Sequence, residues 1–133
     1  MSYPEPTLTE LNRPLIEAWH RGELVLQHCA ACSYVIFFPR ETCPQCWSTQ
    51  LEWKTHSGRG TVVSCSRVYS HVTEPFVKES PVIVAEIELA DGGAMLARIV
   101  DVPRDAEIET GAPVELVPLS QAERYTLPTF RLI

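Results

Sequence analysis

The chain contains Cys29-Ala30-Ala31-Cys32 and, after a spacer of ten residues, Cys43-Pro44-Gln45-Cys46. Each CxxC pair can fold into a turn that directs both sulfurs toward one ion, so two pairs supply a tetrahedral set of four thiolates. Such a set leaves no open position for a reactive water, and it therefore predicts a structural Zn²⁺ rather than a catalytic one. Iron in the same thiolate geometry is the main alternative, and a redox-active dithiol is the third.

Four further residues bear on the assignment of this metal site. Ser33 and Trp47 follow the two CxxC pairs where glycine is common, so we expect each turn to be strained or rearranged. His28 is an alternative ligand, but four thiolates already complete the site, and we expect it to lie beside the metal or at the surface. Cys65 has no cysteine left to pair with and is expected to act as a small buried apolar residue.

The amino-acid composition limits the classes of protein to which the chain can belong. The 133 residues are 45% hydrophobic and 21% charged, which fits one small folded unit, and no apolar run approaches the roughly 18 residues of a membrane span. The N-terminus lacks the features of a signal peptide, so we expect a soluble cytoplasmic protein whose thiolates bind metal. The net charge is −6, and residues 61–133 hold six Lys and Arg against eleven Asp and Glu. This balance opposes nucleic-acid binding, which normally needs a basic surface.

An amphipathic helix is predicted over residues 7–21. Leu8, Leu11, Leu15 and Trp19 recur at intervals of three and four residues, so they share one helix face. This stripe either packs on the body of the protein or reaches a partner subunit. Both interpretations stay open at the level of sequence.

The ends of this helix are less regular. Thr7 and Glu10 have the spacing of a capping box, and Gly22 is a plausible stop. Pro14 removes a hydrogen-bond donor and crowds the preceding turn, so we expect a kink or a second helix start with Asn12 as its N-cap.

Two β-rich segments surround the cysteines and predict a metal ribbon over residues 23–57. Residues 23–28 read as a strand that leads into the first CxxC, and residues 34–38 are β-rich and end at Pro39. Because this segment is too short to be stabilised by burial of apolar surface alone, the metal must supply much of its folding free energy.

Everything after Gly58-Arg59-Gly60 reads as strand and turn. Five short strands suit a small closed barrel of the OB type, with an open sandwich as the alternative. Asp91, Gly92 and Gly93 predict a tight hairpin between the second and third strands. The segment 101–110 is charged and short, so we do not expect the helix that OB-folds often have at this place. The predicted strands span residues 61–69, 81–89, 94–100, 114–119 and 127–132.

No catalytic constellation is visible in the sequence. The chain has no GxSxG, HExxH or glycine-rich phosphate loop, and its candidate catalytic groups are scattered. These candidates are His56, His71, Cys65 and Glu86. We therefore expect a binding or accessory protein rather than an enzyme.

The order of these pieces resembles that of the zinc-ribbon/OB-fold proteins associated with acyl-CoA metabolism, a family long catalogued as a domain of unknown function. The resemblance covers nearly the whole chain. Ser33 and Trp47 depart from the usual turn residues, but the other motifs fall in the family's order. Those motifs are the two CxxC pairs, Phe38-Pro39-Arg40, Leu51-Glu52-Trp53, Gly58-Arg59-Gly60-Thr61-Val62, Pro81 and Gly111-Ala112-Pro113-Val114.

The resemblance implies a mainly β fold in three segments: an N-terminal helical segment at residues 1–22, a rubredoxin-like zinc ribbon at 23–57 and a five-stranded OB-fold at 58–133. It also implies a non-catalytic accessory subunit that holds an acyl-CoA thioester or bridges to a thiolase-like, hydratase or aldolase enzyme of lipid, steroid or polyketide-type metabolism. The alternatives are a nucleic-acid-binding ribbon and barrel module and a free-standing enzyme.

For a CoA ligand, Arg40 is the candidate phosphate contact, and Phe38 and Trp53 are the candidate stacking residues. The alternative is that all three pack the ribbon, with Arg40 paired to Glu41 or Glu52. Because the barrel half is acidic, we expect a partner to complete the CoA site.

A second set of residues offers apolar surface for that partner. The helix stripe contributes Leu11, Leu15 and Trp19, and Phe76 lies in residues 70–80, the longest internal loop, where binding functions tend to reside.

Overall fold

The computed structural model describes residues 5–69, 79 and 81–133 of the chain. The described part is mainly β with a short N-terminal helix, which agrees with the predicted fold class. In chain order its elements are α1 (Arg13–His20), β1 (Leu24–Cys29), β2 (Val35–Ile36), β3 (Leu51–His56), β4 (Arg59–Val68), β5 (Val82–Leu89), β6 (Ala94–Val100), β7 (Pro113–Leu116), α2 (Leu119–Ala122) and β8 (Thr129–Leu132). No helix in these residues is long and apolar enough to cross a membrane.

Helix α1 is shorter than the predicted 7–21: it begins at Arg13, with Asn12 at the N-cap position and Pro14 in the first turn, where its missing N–H costs no helical hydrogen bond. The prediction of a capping box between Thr7 and Glu10 is wrong. Reciprocal hydrogen bonds between side chain and backbone form instead between Thr9 and Asn12. The Thr9 N–H donates to Oδ1 of Asn12 at 2.8 Å, and the Asn12 N–H donates to Oγ1 of Thr9 at 3.2 Å. These bonds fix the chain as it enters the helix.

The end of α1 follows the prediction. Gly22 adopts a left-handed φ of 75°, and its N–H donates to the carbonyl of Trp19 at 2.8 Å. The next N–H, of Glu23, reaches back to the carbonyl of Ala18 at 2.9 Å. This pair of bonds is a Schellman motif, which needs the positive φ that glycine adopts at low cost.

The first three strands form an antiparallel sheet in the order β2-β1-β3. Strand β2 is only two residues long, although the whole β-rich run 34–38 was expected to be extended. The chain turns away after Ile36, and the side chain of Gln27 then replaces strand pairing. Its Oε1 accepts from the N–H of Arg40 at 2.7 Å, and its Nε2 donates to the carbonyl of Arg40 at 2.9 Å. We call β1–β3 with the two cysteine turns the ribbon.

The remaining five strands close into a barrel in the order β4-β5-β6-β8-β7, which confirms the predicted barrel over the open sandwich. Among the strands of the described residues, only β6 and β8 pair in parallel. The hairpin between β5 and β6 is confirmed, with the N–H of Leu89 donating to the carbonyl of Gly93 at 2.8 Å. The turn of helix at α2, which follows Pro118, was not predicted, and the predicted strand 114–119 ends at Leu116 instead.

Strand β5 alternates as its sequence predicted. Ile83, Ala85, Ile87 and Leu89 are buried in the barrel, while Val84, Glu86 and Glu88 lie on its outer face. The inward set joins one hydrophobic core to which the helix contributes Leu15 and Ile16 and the ribbon contributes Leu24 and Leu26. Helix, ribbon and barrel therefore all contribute to this core.

The barrel hairpin also contacts the ribbon directly. A Cβ added to Gly93 would lie 2.5 Å from Cβ of Val35, so the hairpin backbone packs against β2 as closely as glycine permits. Nearby, the N–H of Ser57 donates to Oδ2 of Asp91. These contacts fix the position of the ribbon relative to the barrel.

Candidate metal centre and apolar groove

The four cysteines of the two CxxC pairs meet at the tip of the ribbon. Their Sγ atoms all lie within 4.8 Å of one another, with Cys29 to Cys46 at 3.5 Å and Cys32 to Cys43 at 3.7 Å. A tetrahedral site with metal–sulfur bonds of about 2.3 Å requires sulfur separations of about 3.8 Å. The four thiols are therefore positioned to bind one metal ion.

The two cysteine turns have the same backbone geometry. Ser33 and Trp47 have φ values of 66° and 67°, so the expected strain after each pair is confirmed. The N–H of Ser33 donates to the carbonyl of Cys29, and that of Trp47 to the carbonyl of Cys43, both at 2.9 Å. A left-handed conformation costs a non-glycine residue roughly 1–2 kcal/mol, a cost that metal binding would offset.

Backbone N–H groups within each turn favour the thiolate form of its first cysteine. Burial opposes ionisation of Cys29, but N–H groups two and three residues further on, together with the neighbouring thiols, lower its pKa to about 7. The pKa of Cys43 is lowered as well, because the corresponding N–H groups again outweigh burial. Although a backbone hydrogen bond favours the thiolate of Cys32 and of Cys46 as well, burial and the neighbouring thiols raise the pKa of Cys32 to about 12 and also raise the pKa of Cys46. The thiolate is the form that binds metal, so Cys29 and Cys43 are the two sulfurs that ionise first.

His28 does not belong to the thiolate group, as expected for a histidine beside four thiolates that complete the site. Its Nε2 lies 2.7 Å from Nε2 of His56. Burial is the largest cause that lowers the pKa of each imidazole, so both are held in the neutral form. Nδ1 of His56 is buried and has no hydrogen-bond partner among the residues that the structure describes. Because a buried lone pair costs less than a buried N–H, we assign the proton of His56 to Nε2, which donates to His28.

The histidine pair lines a polar groove of about 870 Å³ between the ribbon and the hairpin of β5 and β6. This groove brings His56 and Glu86, two of the catalytic candidates, to one surface. Cys65 instead lies on β4, packed against the core, and His71 lies outside the described residues.

A second groove, of about 430 Å³, lies where helix, ribbon and barrel meet. We call it the apolar groove. Its floor includes the buried side chains of Leu15, Ile16 and Met95, and its walls come from Phe37-Phe38-Pro39 of the ribbon and from residues 125–129. Four exposed apolar side chains also line it: Phe38 (61% exposed), Leu96 (51%), Leu127 (51%) and Val84 (39%).

The predicted ligand residues are only partly brought together. Phe38 lines the apolar groove and, with Arg40, a smaller neighbouring groove of about 290 Å³. Within the described part of the chain Arg40 makes no ion pair, and Glu52 pairs with Lys54 at 3.2 Å. Trp53 lines none of these grooves and packs against the core.

The predicted partner surface is corrected for two residues. Leu15 and Trp19 are 6% and 1% exposed, so the helix stripe packs on the body of the chain and cannot present them to a partner. Leu11 is 37% exposed and stays a candidate. Phe76 lies outside the described residues.

Sequence reasoning missed most of the apolar groove. Its floor is built from residues far apart in the chain, whose meeting no local pattern reveals. One signal was present: Val84 and Leu96 are apolar at outward positions of alternating strands, where polar residues are usual.

Two family models together match residues 17–118 of the chain. Residues 17–52 match a model described as the rubredoxin-like zinc ribbon domain of ChsH2. Residues 53–118 match a model described as the C-terminal OB-fold domain of ChsH2. The boundary between the two falls within β3.

Curated relatives differ in length. A probable enoyl-CoA hydratase alpha subunit of Thermomonospora curvata is 34% identical over 128 residues, which are 96% of this chain but only 39% of that protein. A DUF35 domain-containing scaffold protein of Methanothermobacter thermautotrophicus is 35% identical over 111 residues, which are 83% of this chain and 82% of that protein.

A similar solved structure is described as the Ltp2-ChsH2(DUF35) aldolase. It superposes with a TM-score of 0.75 at 32% sequence identity and covers 96% of this chain and 98% of the matched chain. The likeness therefore extends over helix, ribbon and barrel together.

Proposed function

Because the chain belongs to the DUF35 family of ChsH2-type ribbon and OB-fold proteins, we propose that it is a non-catalytic scaffold subunit. In this role it holds the acyl part of an acyl-CoA in the apolar groove and docks onto a thiolase-like, hydratase or aldolase enzyme that performs the chemistry. The observation that carries this proposal is the apolar groove itself, built where all three segments meet.

The shape of the groove supports a ligand-binding role. Its volume of about 430 Å³ falls in the range of small-molecule sites, roughly 300–1,000 Å³. Buried Leu15, Ile16 and Met95 form a floor that packing within the chain keeps in place. An acyl chain lying on this floor would leave water without requiring the protein to rearrange.

The exposed side chains at the rim of the groove support the proposal that a partner protein binds there. Phe38, Leu96 and Leu127 are each more than half exposed, and such clustered apolar side chains mark interaction surfaces. A partner seated on this rim would cover the open side of the groove. The complex should accordingly bind the thioester more tightly than the chain alone, because it removes more apolar surface from water.

This chain offers fewer candidate contacts for the nucleotide part of CoA than for the acyl group. Arg40 lines the groove next to the apolar one and is a candidate phosphate contact. The barrel half is acidic, so we assign most of the nucleotide contacts to the partner.

The metal has a structural part in this proposal, and Zn²⁺ is the ion that four thiolates in a closed ribbon favour. The four cysteines would hold it at the tip of the ribbon. The ion would stabilise the ribbon, which carries the wall Phe37-Phe38-Pro39 of the apolar groove. It supplies no open coordination position and thus no reaction step.

The assembly is tested by co-expressing the tagged chain with the enzymes encoded beside it and measuring the mass of the purified complex. We expect a stable complex with an enzyme of one of the three named classes. Val84→Trp, at the groove, should weaken the complex at least tenfold. The matched control is Val63→Trp, because Val63 is also 39% exposed on the outer barrel face but lines only the polar groove. Failure of the chain to bind any of the enzymes encoded beside it would contradict the proposal.

A further inference from the structure

Trp47 is an exposed tryptophan in the second cysteine turn of the ribbon. It is 81% exposed, the highest value among the large hydrophobic residues that the structure describes. Trp19, in contrast, is buried, and Trp53 packs against the core. The indole of Trp47 therefore contributes nothing to the core of the chain.

The backbone at Trp47 would accept glycine at lower cost. Its φ is 67°, and its N–H donates to the carbonyl of Cys43, a bond that glycine would keep. Glycine would remove the cost of the positive φ, roughly 1–2 kcal/mol, and would leave no apolar ring in water. Because neither the turn nor the core needs the indole, we look for its role in binding.

Trp47 belongs to an apolar surface of the ribbon. Tyr34 and Phe38 are exposed, and together with Pro44 they line the smaller groove. Pro44 lies in the same cysteine turn as Trp47. We call these four residues the aromatic tip. Exposed aromatic side chains that lie together are typical of the centre of a protein–protein interface.

The surroundings of the aromatic tip carry little charge. Arg40 and Glu41 are the only charged residues between positions 30 and 50, although 21% of the whole chain is charged. Their charges are opposite, and four thiolates around a divalent ion would add negative charge beside Trp47. Nucleic acids and anionic lipid surfaces bind through clusters of Lys and Arg. The partner that matches this charge is therefore a protein surface with an apolar pocket for the indole.

Phe38 connects the aromatic tip to the apolar groove. It lines both the apolar groove and the smaller groove, and Pro44 lines the smaller one. A protein that covers the rim of the apolar groove would therefore meet the turn of Trp47 along a continuous surface.

We infer that Trp47 anchors the chain to its enzyme partner, with its indole inserted into an apolar pocket of that enzyme. This inference rests on the proposal that the chain is a scaffold that docks onto an enzyme. It adds the aromatic tip as a contact surface beyond the groove rim, and it names the side chain that contributes most to binding there. Tryptophan is among the residues that most often dominate interface energetics.

The test compares Trp47→Gly with Ser33→Gly in the full-length chain. Ser33 follows the first CxxC pair with a φ of 66° and the equivalent hydrogen bond, so both variants relieve the same backbone strain and only Trp47→Gly removes an indole. Both should keep the metal content and the cooperative unfolding of the unaltered chain. The binding partner is the enzyme that co-purifies with the tagged chain. By calorimetry, Trp47→Gly should weaken its binding by about thirtyfold or more, and Ser33→Gly by less than about twofold.

A spectroscopic measurement reports on the indole directly. Labelling with 5-fluorotryptophan gives one ¹⁹F NMR signal for each of Trp19, Trp47 and Trp53, and the signal that Trp47→Gly lacks belongs to Trp47. Adding the enzyme should shift the Trp47 signal and abolish its response to exchange of H₂O for D₂O. The signal of buried Trp19 should stay in place.

Unchanged binding by Trp47→Gly, or equal losses in the two glycine variants, would overturn the inference and leave the scaffold proposal standing, since the complex still forms. A Trp47 signal that shifts with the concentration of the chain alone would overturn it in favour of a second copy. A shift with single-stranded DNA or phosphatidylserine vesicles, and none with the enzyme, would overturn it in favour of a nucleic acid or a membrane. If the unaltered chain binds no enzyme, the scaffold proposal and this inference fail together.

Discussion

The indole Nε1 of Trp19 donates a hydrogen bond to the backbone carbonyl of Tyr125 at 2.9 Å. This bond joins α1 to the segment that leads into β8, and both residues belong to a second buried cluster with Val100, Val117 and Ala122. It therefore anchors the helix that supplies part of the apolar groove's floor.

Trp19→Ala should lower the free energy of unfolding by about 3–5 kcal/mol, because it removes a fully buried aromatic side chain and leaves a cavity. Urea denaturation followed by circular dichroism measures the change. Trp47→Ala is the control, since Trp47 is 81% exposed, and it should cost less than about 1 kcal/mol. Equal losses for the two variants would contradict the assigned packing.

Gly93→Ala should destabilise the contact between barrel hairpin and ribbon. The new Cβ would meet Val35 at 2.5 Å in a backbone with φ of 80°. Gly111→Ala has a similar φ of 89° but nothing within 4 Å, so it isolates the backbone cost of roughly 1 kcal/mol. We expect Gly93→Ala to lower the melting temperature by several degrees more than Gly111→Ala. Identical shifts would show that the clash with Val35 is absent.

Cys43→Ser should abolish metal binding and unfold the ribbon, because three thiolates no longer complete the site and the ion's contribution to folding is lost. Cys65→Ser should leave the metal content unchanged, since Cys65 lies outside the four-sulfur group. Elemental analysis of anaerobically purified protein measures both. Metal retained by Cys43→Ser, or no metal in the unaltered protein, would refute the assignment.

His56 should titrate below its ordinary pKa of 6.5, because burial and the neighbouring His28 both disfavour its charged form. As pH falls through 6.5, the unfolded chain takes up a proton that folded His56 resists, so its contribution to stability is lost toward lower pH. An NMR titration of the imidazole signals, with metal content checked throughout, measures the midpoint. The same spectra should show the proton of neutral His56 on Nε2, and a midpoint above 6.5 would contradict the described burial.

Local patterns predicted the parts of the fold that local chemistry determines. The CxxC spacing identified the thiolate group, and alternation along β5 separated inward Ile87 from outward Glu86. Gly22 ended the helix as expected because its positive φ is a property of a few neighbouring residues.

Features that depend on distant contacts were not predictable in the same way. The stripe containing Trp19 could have packed inside or outside, and its partner Tyr125 lies 106 residues further along the chain. The apolar groove likewise exists only once Phe38 of the ribbon, Leu96 of the barrel and Leu127 come together. No spacing in the sequence encodes that meeting, although outward-facing Leu96 hinted at an apolar surface.

The most direct test of the scaffold account compares acyl-CoA binding by the purified complex with binding by each component, using isothermal titration calorimetry and dodecanoyl-CoA as the probe. The account predicts that the complex binds at least tenfold more tightly than either component, and that the chain alone never turns over the thioester. An affinity of the complex no higher than that of the enzyme alone, or turnover by the isolated chain, would contradict it.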